Sequence, residues 1–266
     1  MKYLTEIAEN RKDWDTLWEW QWFTREIWIE KYWIETERAV KPLLKILQKL
    51  NVEYLLDASC GLGFKTILLA KAGYKVSGGD YSEVAIKYTK KLAKEEKVDI
   101  QFFVSEFQKL PQNTEEKYDC VYTDYFDELP TYEELLLSAK GIYSVLKENG
   151  KFIFCAPSPE IDKEGLKNII EKVYKKRKVI VYPSVKKGQK EVIHIEIPEK
   201  QNDGIMEHHI YVIKSGKRID VEIASIMNSR IKWTFHDFVR ILEKAGFSEI
   251  RKAKREKDEI FIIGIK

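Results

Sequence analysis

Apolar positions recur with a helical period over residues 12–50, where Trp14, Trp18 and Trp22 stand four apart and "AVKPLLKILQKL" closes as an amphipathic helix. From residue 52 the period changes. "VEYLLDA" is a short apolar strand signal, and two glycines, Gly61 and Gly63, separate it from the helical run "KTILLAKAG". Strand "YKVSGGD", helix "SEVAIKYTKKLAKEE", strand "DIQFFVSE", strand "YDCVYTDY", helix "YEELLLSAKGIYSVLK" and strand "GKFIFCAP" follow in turn. Strands alternating with helices of this length predict a doubly wound, mostly parallel sheet of the Rossmann-like α/β class. After a helix at about 162–177 the pattern becomes four successive strand-like runs, "KVIVYPSV", "KEVIHIEIPE", "EHHIYVIKS" and "RIDVEIASI", joined by glycine-bearing turns. They predict an antiparallel meander inserted at 179–230. A helix capped by Thr234 and ended by Gly246, with two closing strands, then completes a seven-stranded sheet.

Composition narrows the function classes. The 46 basic and 43 acidic residues leave a net charge of +3, so no global field draws the chain to nucleic acid, and the basic runs at 174–178 and 251–257 read as solvated segments. Nucleic acid is therefore not an expected partner. No apolar run reaches the length of a membrane span, and the opening segment lacks the apolar core of a signal peptide, so the expected location is cytoplasmic with no membrane partner. Cys60, Cys120 and Cys155 lie far apart in apolar runs and read as buried thiols; neither they nor the histidines show metal spacing, and no metal is expected. His208 and His209 alternate faces of a strand, so at most one points inward, and His236 falls in the first turn of a helix.

The chemistry concentrates in "LLDASCGLG" at 55–63: a strand ends in Asp57, small residues turn the chain, and a helix begins. Such a turn lets a ligand approach the backbone outside the carboxyl end of a strand. A nicotinamide-dinucleotide fingerprint would place a third glycine where this chain has Thr66.

The set Asp57, Cys60, Gly61 and Gly63, with Asp80 closing the next strand, resembles the class I S-adenosylmethionine-dependent methyltransferases in their D-x-(A/S)-C-G-x-G form. The helical N-terminal segment and the late meander are similar to those of the glycine/sarcosine-type small-molecule N-methyltransferases. The resemblance implies S-adenosyl-L-methionine as cofactor. It places Asp57, Ala58, Ser59, Gly61 and Gly63 in the cofactor turn, Asp80 on the ribose hydroxyls, Tyr81 on the adenine, Glu106 and Phe107 beside the adenine edge, and Thr123 near the methyl group. It also implies that Arg38 pairs with the cofactor's carboxylate, that Trp22 contacts the cofactor, and that residues 1–50 form a lid. The division expected is thus a lid at 1–50, a cofactor domain at 51–178 and 231–266, and a substrate-side insertion at 179–230.

The chain departs from that group after the fourth strand. It reads Asp124-Tyr125-Phe126-Asp127-Glu128-Leu129 where the group carries an Asn-Ser-x-x-His-Leu type sequence. Asp124 and Tyr125 are the candidate catalytic residues, at a strand end where an acid could hold an amine, and Arg230 is a candidate for a substrate carboxylate. The expected reaction is methyl transfer to a small-molecule acceptor, an amine by preference, by direct displacement. An RNA or protein methyltransferase of the same fold, a non-catalytic cofactor-binding protein, and a homo-oligomer all stay open. The aromatic helix itself has two readings, packing or ligand contact, of which helical spacing favours packing.

Overall fold

A computed structural model describes residues 2–255 and 258–266, with side chains from residue 11 onward; the end of the basic run 251–257 and the side chains of the opening segment fall outside the described residues. The chain runs α1 (Lys2–Phe23), α2 (Ile29–Lys49), β1 (Tyr54–Asp57), α3 (Phe64–Lys71), β2 (Lys75–Asp80), α4 (Glu83–Glu95), β3 (Gln101–Val104), α5 (Leu110–Asn113), β4 (Tyr118–Thr123), α6 (Tyr132–Val145), β5 (Leu146–Pro157), α7 (Lys163–Tyr174), β6 (Ile180–Val181), β7 (Val185–Lys187), β8 (Lys190–Gln201), β9 (Gly204–Ser215), β10 (Arg218–Arg230), α8 (Phe235–Ala245), β11 (Glu249–Lys254) and β12 (Glu259–Ile265). These elements gather into two compact units, residues 35–166 with 232–266 and residues 1–34 with 167–231.

The first unit holds a seven-stranded sheet ordered β3-β2-β1-β4-β5-β12-β11, parallel except at β12 and β11. Strand β1 is buried along its whole length, as a central parallel strand covered on both faces must be. One face packs against Val40, Leu43 and Leu47 of α2 and Leu69 of α3; the other packs against Leu135, Ala139 and Ile142 of α6 and Phe238 and Ile241 of α8. Both of the latter helices start in reciprocal capping boxes, Thr131 with Glu134 and Thr234 with Asp237, and α8 ends at Gly246 in the left-handed region at φ 105°.

In the second unit β10-β9-β8-β6 form an antiparallel sheet, with β7 also paired to β8. The run 178–185, expected as one strand, is two short ones, because Pro183 between them has no N–H to continue the ladder. Helix α1 packs on this sheet through Trp20, which joins Val192, Tyr211 and Ile213 and donates its indole N–H to Glu222 at 2.8 Å. Trp14 and Trp18 stack on each other with ring centres 5.2 Å apart. Trp20, outside the stripe of Trp14, Trp18 and Trp22, thus reaches the sheet core, and Trp14 is buried as well.

The same sheet carries a buried polar array. His194 is stacked between Tyr182 and Tyr211 and lies 3.0 Å from His209, Nε2 to Nδ1. Glu207 beside them accepts from Asn228 at 2.6 Å and pairs with Arg177 at 2.8 Å. His209 faces inward, whereas His208 bonds Ser225 and Glu199 on the open face. Burial and mutual repulsion pull His194 down to about 3; burial, with the neighbouring His208, pulls His209 down to about 4.

Candidate functional site

The candidate site is built at the carboxyl ends of β1, β2 and β4, where backbone groups pass beyond the sheet ladder. The turn after β1 takes its shape from Gly61 and Gly63, with φ of 52° and 85°. At Gly63 a Cβ would also come within 2.8 Å of the Thr89 methyl group, and the Thr89 hydroxyl donates to the Gly61 carbonyl at 2.5 Å. Helix α4 thus holds the turn from outside, and only glycine fits at position 63.

Asp57 is buried and accepts the Thr66 hydroxyl at 2.7 Å. Thr66, standing where a dinucleotide fingerprint would have its glycine, is the residue that ties the acid to α3. Burial pushes the Asp57 carboxyl up, against the Lys65 charge, the Thr66 bond and the Ser59 N–H. At the end of β2, Asp80 accepts the Gly61 N–H at 2.9 Å and the Ser82 N–H at 3.0 Å, one on each oxygen.

The remaining cofactor candidates assemble around this pair. The Ser105 N–H donates to the Asp80 carbonyl at 2.9 Å, which sets Glu106 and Phe107 next to the β2 end. Glu106 accepts Gln108 at 3.1 Å and Lys109 at 3.0 Å. A glycine that the sequence did not single out makes this segment possible: a Cβ at Gly141 of α6 would lie 2.1 Å from the Phe107 carbonyl oxygen. From β4, the Thr123 and Ser59 hydroxyls meet at 2.7 Å, the Asp124 N–H reaches Ser59 Oγ at 3.3 Å, and the Tyr125 N–H reaches Thr123 Oγ1 at 3.0 Å. Ser59, Thr123 and Asp124 are therefore linked through hydrogen bonds, as are Gly61 and Asp80. Arg38 is exposed on α2 in the same unit. Trp22 and Arg230 belong to the other unit: the Arg25 guanidinium lies 3.8 Å from the centre of the Trp22 ring, and Arg230 pairs with Asp203 at 2.5 Å in the β8–β9 turn.

Beyond β4 lies a charged cluster that sequence reading did not find. Lys65, two residues past Gly63, pairs with Asp124 and donates to the Tyr122 hydroxyl at 3.0 Å; that hydroxyl in turn donates to Asp124. Burial pulls the Lys65 ammonium down to about 8 against the attraction of Asp57. Asp127 Oδ1 is buried with no hydrogen-bond partner. Burial, and then the charge of Glu128, pushes the Asp127 carboxyl well above the usual range, against the charge of Arg255. Arg255, just before β12, donates to Cys155 Sγ at 2.6 Å and pairs with Glu259 at 3.0 Å. All three cysteines are buried and reduced; burial pushes Cys155 up to about 12 and Cys60 well above its ordinary value, so they are poor nucleophiles. Among the described residues no group of His, Cys, Asp and Glu could hold a metal ion, and no helix is long and apolar enough to cross a membrane.

This topology, a β3-β2-β1-β4-β5-β12-β11 sheet with acids ending β1 and β2 around a glycine turn, is that of the class I S-adenosylmethionine-dependent methyltransferases. Residues 51–246 match the family model described as methyltransferase domain, and the chain belongs to that family. It is 31% identical over 117 residues to a protein of Geobacillus sp. (strain WCH70) provisionally named a methyltransferase, a match spanning 43% of this chain and 47% of that one. The chain therefore spans about half the length of this curated relative. Among solved structures it is similar to an S-adenosylmethionine-dependent methyltransferase from Clostridium acetobutylicum ATCC 824 (TM-score 0.62, 14% identity, 86% of this chain and 91% of that one). It is also similar to a sugar N-methyltransferase from Streptoalloteichus sp. ATCC 53650 (TM-score 0.61, 12% identity, 87% and 86%) and to DesVI of Streptomyces venezuelae (TM-score 0.63, 13% identity, 91% and 98%). At these identities the likeness is one of fold.

The residues present fit S-adenosylmethionine. The Gly61–Gly63 turn admits close approach, and Asp80 offers a fixed carboxylate to a diol.

Proposed function

We propose that this chain is an S-adenosylmethionine-dependent methyltransferase whose acceptor is a small-molecule amine. The observation that carries the reading is the acid pair Asp57 and Asp80, locked by Thr66, Gly61 and Ser82 around a left-handed glycine turn. When bound, the cofactor supplies a methyl group on a sulfonium, open to in-line displacement. In this reading Asp80 accepts the ribose hydroxyls, Tyr81, Glu106 and Phe107 surround the adenine, and Ala58, Ser59 and Thr123 line the methionine end. Arg38 takes the cofactor's carboxylate. Asp124 and Asp127, beyond β4, hold an amine and face it toward the methyl group.

An amine must lose a proton to remain alkylated and neutral. In this reading Asp127 Oδ1, buried without a hydrogen-bond partner, receives it. The likeness to a sugar N-methyltransferase supports a nitrogen acceptor on a polar small molecule.

Calorimetry with S-adenosylmethionine, its demethylated product and NAD tests the cofactor; the first two bind, and tight NAD binding with neither of them would sink the proposal. A labelled-methyl screen of amino sugars and small amines against hydroxyl and thiol compounds tests the acceptor. Asp127→Asn should keep cofactor affinity and lower methyl transfer on the order of a hundredfold. Transfer at the unaltered rate would remove the base from this position.

A further inference from the structure

Basic residues are unevenly spread along this chain. From Lys172 to Lys190 there are eight of them and no acidic residue, against a net charge of +3 for the whole chain, so the remainder is net acidic. The run 174–178 within this segment reads from sequence as solvated, and Lys172, Lys175, Lys176 and Lys178 are indeed exposed. What the fold adds is an apolar edge beside them. Strand β6 ends the antiparallel sheet, and among the described residues no strand pairs with its outer side. Val179, Ile180 and Val181 are 60%, 40% and 65% exposed there. Alternation sends the two valines to one face of the strand and Ile180 to the other, so aliphatic groups project on both sides of an open edge. Local bonds fix this juxtaposition. The turn after α7 is closed by the Lys176 N–H on the Val173 carbonyl at 3.1 Å and the Arg177 N–H on the Tyr174 carbonyl at 2.9 Å. The Arg177 guanidinium is tied to Glu207, and Glu171, the acid just before the segment, pairs with Lys200. Lys172, Lys176 and Lys178 have no ion pair among the described residues. Lys172 and Lys176, four apart at the end of α7, repel each other with no acid between them.

From this edge we infer that the protein docks on the surface of an anionic lipid bilayer, with the lysines on the headgroups and Val179, Ile180 and Val181 at the top of the acyl layer. Clustered lysines are drawn to an anionic leaflet, and shallow apolar side chains add an anchor that salt does not screen. A shallow seat also leaves the free N–H and C=O groups of the β6 edge at headgroup level, where water satisfies them. A surface contact needs no spanning run, so the apolar pattern of the chain gives no sign of it. Nucleic acid fits this segment less well. Bases stack on aromatic rings or a guanidinium, whereas Tyr182 is already stacked on His194 and Arg177 is held by Glu207. The apolar groups left outside are aliphatic, which suits lipid.

Co-sedimentation of the full chain with vesicles tests the docking. At about 0.1 M salt the chain should partition onto phosphatidylcholine vesicles carrying about 30% phosphatidylglycerol and leave pure phosphatidylcholine vesicles alone; about 0.5 M salt should weaken the partition at least about tenfold. Lys175→Glu with Lys176→Glu and Lys178→Glu should lower it at least about fiftyfold. Val179→Ser with Val181→Ser should lower it about tenfold. Lys90→Glu with Lys94→Glu, also exposed but on α4, should leave it unchanged. A chain that stays in the supernatant beside the anionic vesicles would overturn the inference, and an equal loss from the α4 pair would overturn its location. Partition that the valine pair leaves intact would overturn the lipid seat, and retention of bulk RNA by the same lysines would then mark a polyanion track.

Discussion

Two polar clusters in this chain are built from similar residues and behave differently. At the carboxyl ends of β1, β2 and β4, Asp57, Asp80, Asp124 and Lys65 are tied to backbone and to each other, with Asp124 still 46% exposed. In the middle of β8 and β9, His194, Glu207 and His209 are only 5%, 3% and 5% exposed. Their side chains are spent on each other and on Arg177 and Asn228. A strand end turns polar groups outward, where a ligand can replace water. A strand centre seals them between ladders and an overlying layer, so their satisfaction is internal and their contribution is to the fold. Perturbed titration marks both clusters, so position in the strand, more than the shift itself, separates a ligand site from a structural network.

That contrast can be broken. The largest effect should come from Glu207→Ala, which leaves the half-buried Arg177 and Asn228 without their acceptor. It should destabilise β8–β10 by about 3–5 kcal/mol, read as lost amide-exchange protection there, with cofactor affinity unchanged. A fall in cofactor affinity in the folded variant would join the two clusters.

Acid comes next. His194 and His209 titrate below their unfolded value of about 6.5, so the unfolded chain binds more protons between that value and the folded ones near 4 and 3. Stability contributed by the neutral pair is present above about pH 6.5 and lost as pH falls. Between pH 7 and pH 5 the antiparallel sheet should lose roughly 2–4 kcal/mol. A denaturant midpoint that does not move over this range would mean that the pair is hydrated.

Asp80→Asn should cost about 2 kcal/mol of cofactor binding, or roughly thirtyfold, by removing a charge-assisted acceptor. Calorimetry checks it, and equal affinity would displace the ribose site. The smallest effect should be Trp20→Phe, about 1 kcal/mol, since the ring still packs on Tyr211 while the bond to Glu222 is lost. A loss of 3 kcal/mol or more would show that indole shape, more than the hydrogen bond, seats α1.

Local pattern was enough for much of this protein. Alternation of short apolar runs with amphipathic helices specified the doubly wound sheet, because period 2 and period 3.6 leave different marks on a chain. The glycine turn with Asp57 and Asp80 was equally legible, since a left-handed turn admits few residues and a strand-ending acid sits at a set spacing from it. Thr234 and Gly246 announced α8 by capping chemistry alone.

Other features depend on residues that meet only after folding. Arg255 lies 100 residues from Cys155, and Lys65 lies 59 from Asp124; neither pairing has a local period that could betray it. Trp20 and His194 were set by which face of α1 and β8 turned inward, and His209 acquired its partner across a strand register. Gly141 is an unremarkable helix residue until Phe107 is brought against it. Sequence by itself determined the elements, their order and the glycine turn after β1, because those follow from steric and hydrophobic rules acting within a few residues. Tertiary structure alone decided which charges meet beyond β4 and which strand edge is left apolar and open, because burial and Coulomb interaction depend on distance in space and are blind to distance along the chain.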